Sequence, residues 1–167
     1  IAEDLGYLTP DVKKMLKASG YPGMKVLQFA FDSREESDYL PHNYEKNCVV
    51  YTGTHDNDTT AGWFTSAGRK DVQFAKKYLN IRRNRDGAWA FIRAAFASVA
   101  NLAVVPMQDF LNLGSEARIN TPSTLGGNWM WRIKDGVANE ELAKKIRELT
   151  ELYCRCDKKA AIKKAKK

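Results

Sequence analysis

Apolar residues along this chain gather in short blocks, and longer amphipathic or polar segments separate them. Met24-Lys25-Val26-Leu27-Gln28-Phe29-Ala30-Phe31 is rich in β-branched and aromatic side chains and predicts a strand. Cys48-Val49-Val50-Tyr51 opens a second, running to Thr54, and Leu102-Ala103-Val104-Val105-Pro106-Met107 a third, with Pro106 near its boundary. Ile1-Ala2-Glu3 reads as the last part of another strand, with a turn at Asp4-Leu5-Gly6. Near-continuous apolar runs of this kind suit strands buried on both faces.

Helix-period segments lie between these blocks. Thr9 stands as an N-cap, Pro10 at the first helical position and Asp11 in the first turn. Val12, Met15 and Leu16 recur at helical spacing until Gly20 closes the segment. Residues 71–79 predict a short helix, and residues 86–100 a longer one, apolar nearly all round and therefore buried. Asn139 opens the last, with Leu142, Ile146, Leu149 and Tyr153 on one face. Residues 32–47 form a long polar loop in which His42 reads as a surface histidine. Residues 128–133 alternate and predict a short extended piece. Trp63 and Phe64 serve either the core or a stacking surface at a site edge.

Strands alternating with helices predict right-handed βαβ units and a parallel α/β sheet. A (β/α)8 barrel needs eight strands over about 250 residues. Four are predicted here, the first only as a stub, so the expected fold is the second half of such a barrel, incomplete in this chain. Residues 1–155 are its predicted extent and residues 156–167 a lysine-rich tail. The opening on Ile1, without Met, predicts the carboxyl portion of something longer.

Composition narrows the classes. At 44% apolar and 28% charged, the 167 residues have a soluble globular make-up, without a signal peptide or an apolar run of membrane length. Cys48, Cys154 and Cys156 supply neither a usual disulfide nor a zinc set and are read as free thiols in a reducing compartment. Of the net charge of +7, residues 155–167 carry +6 from seven Lys/Arg and one Asp, so the body is near neutral. A nucleic-acid module using that tail is one reading, and a solvated tail the other.

The polar cluster Thr52-Gly53-Thr54-His55-Asp56-Asn57-Asp58-Thr59-Thr60 follows the second strand directly. Asp56 or Asp58 as a cap on the next helix is the structural reading. Calcium is excluded, because Ala61 and Ala67 stand where an EF-hand loop needs Gly and Glu. In a parallel sheet the functional groups sit just past the strands' carboxyl ends. Those positions hold Glu3, Gln28, His55-Asp56 and Gln108-Asp109. Paired carboxylates with carboxamides and aromatics suit cleavage of a glycosidic bond. No phosphate fingerprint, metal-ligand cluster or nucleophile elbow competes, and no cofactor or metal is implied.

Several blocks together carry a resemblance. Ile1-Ala2-Glu3-Asp4-Leu5-Gly6, Pro22-Gly23-Met24-Lys25-Val26-Leu27-Gln28-Phe29-Ala30-Phe31 and Leu40-Pro41-His42-Asn43 resemble 4-α-glucanotransferases, the amylomaltases or disproportionating enzymes related to α-amylases. So do Val49-Val50-Tyr51-Thr52-Gly53-Thr54-His55-Asp56-Asn57-Asp58-Thr59 and Gly126-Gly127-Asn128-Trp129-Met130-Trp131-Arg132. The resemblance runs from residue 1 to near residue 155.

It implies roles residue by residue. Glu3 matches the general acid/base and Asp56 the carboxylate that stabilises an oxocarbenium-like transition state. His55 matches a histidine that hydrogen-bonds the sugar. Asn57, Gln28, Asn120, Asn128 and Trp129 are assigned to substrate contact. The implied reaction transfers part of an α-1,4-glucan (maltooligosaccharide, starch or glycogen fragment) to another glucan's 4-hydroxyl by retaining double displacement. The family's nucleophilic aspartate belongs upstream of Ile1. The expected partners are therefore glucans and a missing amino-terminal half, with no nucleic acid or membrane, and the chain alone is expected to be inactive. The expected location is the cytoplasm, or the plastid stroma in a plant or alga. An α-amylase-type hydrolase and a non-catalytic glucan-binding piece remain the competing readings.

Overall fold

Pro10 lacks the N–H that a helix start cannot satisfy, and Gly20 adopts the left-handed turn (φ 69°) that a helix end favours. Between them α1 spans Pro10–Ser19. Its start differs from expectation in one respect: the Thr9 side chain makes no capping hydrogen bond. None of its residues is buried, and Val12 and Met15 are exposed. The structure is a computed structural model, and it describes residues 1–6, 8–34 and 36–156. The lysine-rich tail at residues 158–167 lies outside the described residues. The chain divides into two compact units, Ile1–Trp131 and Arg132–Lys167.

The first unit is α/β, built on three parallel strands: β1 (Gly23–Val26), β2 (Cys48–Tyr51) and β3 (Leu102–Val104), in the order β1-β2-β3. Val26 pairs with Tyr51 and Tyr51 with Val104, so the three carboxyl ends stand level at one rim. Central β2 is buried through Cys48, Val49 and Val50, as its unbroken apolar run requires.

All three strands stop short of their apolar runs. After Val26 the chain tightens into a 3-10 turn over Leu27–Phe29, which turns Leu27 into the core. β2 ends at Tyr51 rather than Thr54. Pro106 caps α5 (Met107–Phe110) in place of extending β3. Apolarity reported burial at Val26, Leu27 and Cys48–Val50, whereas Leu102, Val104 and Met107 of the third run are exposed; in all three the backbone conformation changed within the apolar run. Two further expectations fail. Residues 1–3 form no strand: only the Ala2 N–H reaches the Pro22 carbonyl, at 2.9 Å. Residues 128–133 form none either, because Gly126, Gly127 and Trp129 all take left-handed backbone angles and turn the chain repeatedly.

Helices α2 (Thr60–Ser66), α3 (Arg69–Tyr78) and α4 (Gly87–Ala97) form the crossover from β2 to β3. Neither Asp56 nor Asp58 caps α2; the Thr59 hydroxyl accepts from the Gly62 N–H at 3.0 Å. The core centres on Phe31 and Phe91, whose rings lie 5.2 Å apart. Trp63 packs 5.5 Å from Phe91, and Phe64 the same distance on another side, which places both in the core. A Cβ on Gly87 would enter the Phe64 ring, so the start of α4 needs glycine. In the second unit α6 spans Glu140–Leu152, capped by the Asn139 side chain, which accepts from the Leu142 N–H at 2.9 Å. Cys48, Cys154 and Cys156 are free thiols. Among the described residues no helix is long and apolar enough to cross a membrane.

Two substitutions test this packing by urea unfolding. Phe91→Ala removes the ring against which Phe31, Trp63 and Phe64 pack and is expected to cost about 3–5 kcal/mol. Tyr44→Phe is expected to be neutral or to stabilise by about 1 kcal/mol. The buried Tyr44 hydroxyl has no hydrogen-bond partner among the described residues, and burial pushes its pKa up.

Candidate functional site

The site begins where β2 runs out. The following loop is fastened at both ends to one carboxylate. Asp109, on α5, is 1% exposed; the Thr52 hydroxyl donates to it at 2.5 Å, the Thr60 N–H at 2.7 Å and the Thr60 hydroxyl at 2.8 Å. Burial pushes the Asp109 pKa up, the hydrogen bonds from Thr52 and Thr60 oppose that, and the nearby Asp58 carboxylate adds to it. Asp109 thus acts inside the scaffold, and its position at the end of an apolar run does not make it a group facing the groove.

Within the loop Asn57 closes a tight turn. Its side-chain oxygen accepts from the Thr54 N–H at 2.8 Å and the Thr54 hydroxyl at 2.9 Å. Gln28 is buried and donates to the Asp58 carbonyl at 2.8 Å. Its amide lies so close to Gly53 that a Cβ there would overlap it. Asp58 accepts from the Thr59 N–H at 2.7 Å and from the Ser115 hydroxyl at 2.6 Å.

Asp56 and His55 project from the loop with about half their side-chain surface exposed, His55 Nε2 lying 3.4 Å from Asp56 Oδ1. Asn120 donates to the same Oδ1 at 2.6 Å. The Trp129 ring lies 5.2 Å from the His55 ring, tilted by 35°. Asn128 braces its own loop, accepting from the Thr121 N–H at 2.9 Å and donating to the Thr124 hydroxyl at 3.1 Å.

An open groove of about 1410 Å³ runs along the rim, and Glu3, Gln28, His55, Asp56, Asn57 and Gln108 all contribute to its wall. Glu3 is exposed there. Asn120 and Trp129 reach the groove through Asp56 and His55, not through its described wall. Sequence reasoning overlooked Arg118. Its guanidinium donates to the Asp56 carbonyl at 2.7 Å and to the Asn120 carbonyl at 2.8 Å. Only its nearness to Asn120 in the chain could have drawn notice. Among the described residues no group of three or more His, Cys, Asp or Glu side chains could hold a metal.

Carboxylates and carboxamides gathered at the carboxyl rim of a parallel α/β sheet define a protein with a strand-end site for a polar ligand. The family of 4-alpha-glucanotransferases supplies the more particular statement: its model matches residues 1–138, and the chain belongs to that family. It is 55% identical over 158 residues to the 4-alpha-glucanotransferase of Clostridium butyricum, covering 94% of this chain and 32% of that one. It is 49% identical to the chloroplastic/amyloplastic 4-alpha-glucanotransferase of Arabidopsis thaliana, covering 93% of this chain and 27% of that one. Among solved structures, an amylomaltase from Streptococcus agalactiae in complex with acarbose superposes with a TM-score of 0.87 at 34% identity. That match covers 93% of this chain and 32% of the other. The chain therefore spans about a third of the length of the relatives it matches.

The Asp109 clasp predicts a specific pH response. A carboxyl whose pKa is raised on folding holds its proton more tightly in the folded state. Its contribution to stability therefore falls as pH rises from the ordinary carboxylate value through the raised one. Asp109→Asn is expected to remove that slope in urea unfolding followed across the acid range. Asp109→Ala, which strands three donors, is expected to cost about 2–4 kcal/mol, more than Asp109→Asn.

Proposed function

We propose that this chain supplies two catalytic carboxylates, Glu3 and Asp56, to a 4-α-glucanotransferase acting on α-1,4-glucans. The observation that carries the reading is that both carboxylates wall one groove at the rim of a parallel sheet, in a chain of that family. On this reading β1, β2 and β3 are the sixth to eighth strands of a (β/α)8 barrel, residues 1–3 stand at the end of the fifth, and the attacking carboxylate is none of this chain's residues. The solved relative that carries acarbose supports a saccharide as the groove's ligand.

The chemistry follows from placement. Glu3 gives a proton to the glycosidic oxygen as the bond to the anomeric carbon breaks, and the nucleophile takes up that carbon as an ester. The 4-hydroxyl of an acceptor glucan then displaces the ester while Glu3 takes its proton, so configuration is retained. Glu3 is open to solvent here, so the burial that suits a proton donor must come with substrate or with polypeptide beyond the described residues. Asp56 stays anionic beside the developing positive charge, and the Asn120 amide fixes its direction. His55, backed by Trp129, is placed to hydrogen-bond a sugar hydroxyl. Gln28, Asn57 and Asn128 shape the groove through the loops they hold. We infer a cytoplasmic or plastid-stromal location, supported by the chloroplastic/amyloplastic relative.

The test replaces the corresponding third of the Clostridium butyricum relative with residues 1–156 of this chain. The chimera is expected to convert maltotriose to glucose and longer maltodextrins. Glu3→Gln and Asp56→Asn should each lower turnover by about 10²–10⁴-fold. An inactive chimera, or undiminished transfer by either variant, would refute the assignment. Glucose release without chain-length redistribution would favour a hydrolase.

A further inference from the structure

We infer that Arg118 is a positioning residue for Asp56; this rests on the role proposed for Asp56 above. The guanidinium is a rigid, planar fork, and here its two arms reach two different loops. Nη2 donates to the main-chain carbonyl of Asp56 at 2.7 Å, while Nε donates to the carbonyl of Asn120 at 2.8 Å. The two backbones it joins are those whose side chains meet, Asn120 Nδ2 lying 2.6 Å from Asp56 Oδ1. Each arm alone would anchor a loop. Together they set the offset between the loops, and that offset determines whether the amide reaches the carboxylate. Asp109 clamps the 52–60 loop at its two ends, which leaves the Asp56 carboxylate, at the open groove, a freedom that Asp109 does not restrain. Arg118 removes it by way of Asn120. A carboxylate about half exposed to water needs such a restraint more than a buried one, because water would otherwise compete for its lone pairs.

Arg118 holds Asp56 from behind and does not itself line the groove, which sets it apart from the residues that face a ligand. It therefore acts on the rate of the chemical step and not on ground-state binding. Misplacement of a reacting group by about 1 Å costs on the order of 10²-fold in rate. Lysine keeps the charge but has a single ammonium on a flexible stem and cannot hold both carbonyls in one plane.

In the chimera described above, Arg118→Lys is expected to lower kcat for maltotriose transfer about 10²-fold while KM moves by less than about threefold. Arg118→Ala should match it. In an Asn120→Ala background the further loss from Arg118→Lys should shrink, because both act through one contact. A second measurement needs no turnover. In the chain itself, the Asn120 side-chain amide resonance, displaced by its carboxylate partner, should return to the position of a free amide in Arg118→Lys. Wild-type kcat in Arg118→Lys, a KM increase at unchanged kcat, additivity with Asn120→Ala, or an unmoved Asn120 amide would each overturn the inference. Activity undiminished in Asp56→Asn would instead bring down the role of Asp56, and the Asn120 amide would still decide the brace.

Discussion

One buried carboxylate governs this molecule's functional edge. Asp109 takes three hydrogen bonds from two threonines that bracket the 52–60 loop, one at the end of β2 and one at the start of α2. A polar loop leaving a buried strand has backbone and hydroxyl groups that would otherwise lack partners. Gathering them on Asp109 satisfies those groups and shortens the loop's reach. His55, Asp56 and Asn57 are thus free to project over the rim instead of folding back to satisfy it. The cost is a desolvated carboxyl, visible in its raised pKa.

The parallel sheet does the rest of the positioning. Its register brings Val26, Tyr51 and Val104 level, so the chain leaving each strand enters the same space. Gln28 crosses from the first exit to the loop of the second and holds the Asp58 carbonyl. Ser115 and Arg118 reach back from the region after the third to Asp58 and Asp56. The loops behind the groove are therefore joined across segments distant in sequence, through Gln28, Ser115 and Arg118. His55 and Asp56 stand apart, retaining substantial exposure at the groove. That division between scaffold and presented groups is what a strand-end active site requires.

Family membership and geometry support each other without being the same argument. The match over residues 1–138 establishes kinship, while the reaction is proposed from carboxylate placement in a chain spanning about a third of its relatives' length. Asn57, Asn120 and Asn128 show why the distinction matters. Each stands in a motif that suggests sugar contact, yet each spends hydrogen bonds on the protein: Asn57 within its turn, Asn120 on Asp56, Asn128 on its own loop. Carboxamides near a sugar site act on the ligand directly, or through the groups they hold in place.

Local chemistry settled much of this in advance. Pro10 and Gly20 bound the first helix, because one lacks a donor and the other tolerates a left-handed turn. The apolar runs placed β2 and α4 in the core, because burial leaves a pattern that needs no partner to be read. The cluster after Tyr51 marked a candidate site, beside a helix-capping alternative, because polar residues crowd there directly behind an apolar strand. What the chain alone could not settle was where each apolar run stops being a strand: Leu27 and Pro106 are apolar whether extended or turned, and only neighbouring backbone decides. Nor could it pair Asp109 with Thr52 and Thr60, or Arg118 with Asp56. Those contacts join residues 49 to 62 positions apart, and hydrogen bonds over such separations exist only once the sheet has brought its loops to one rim.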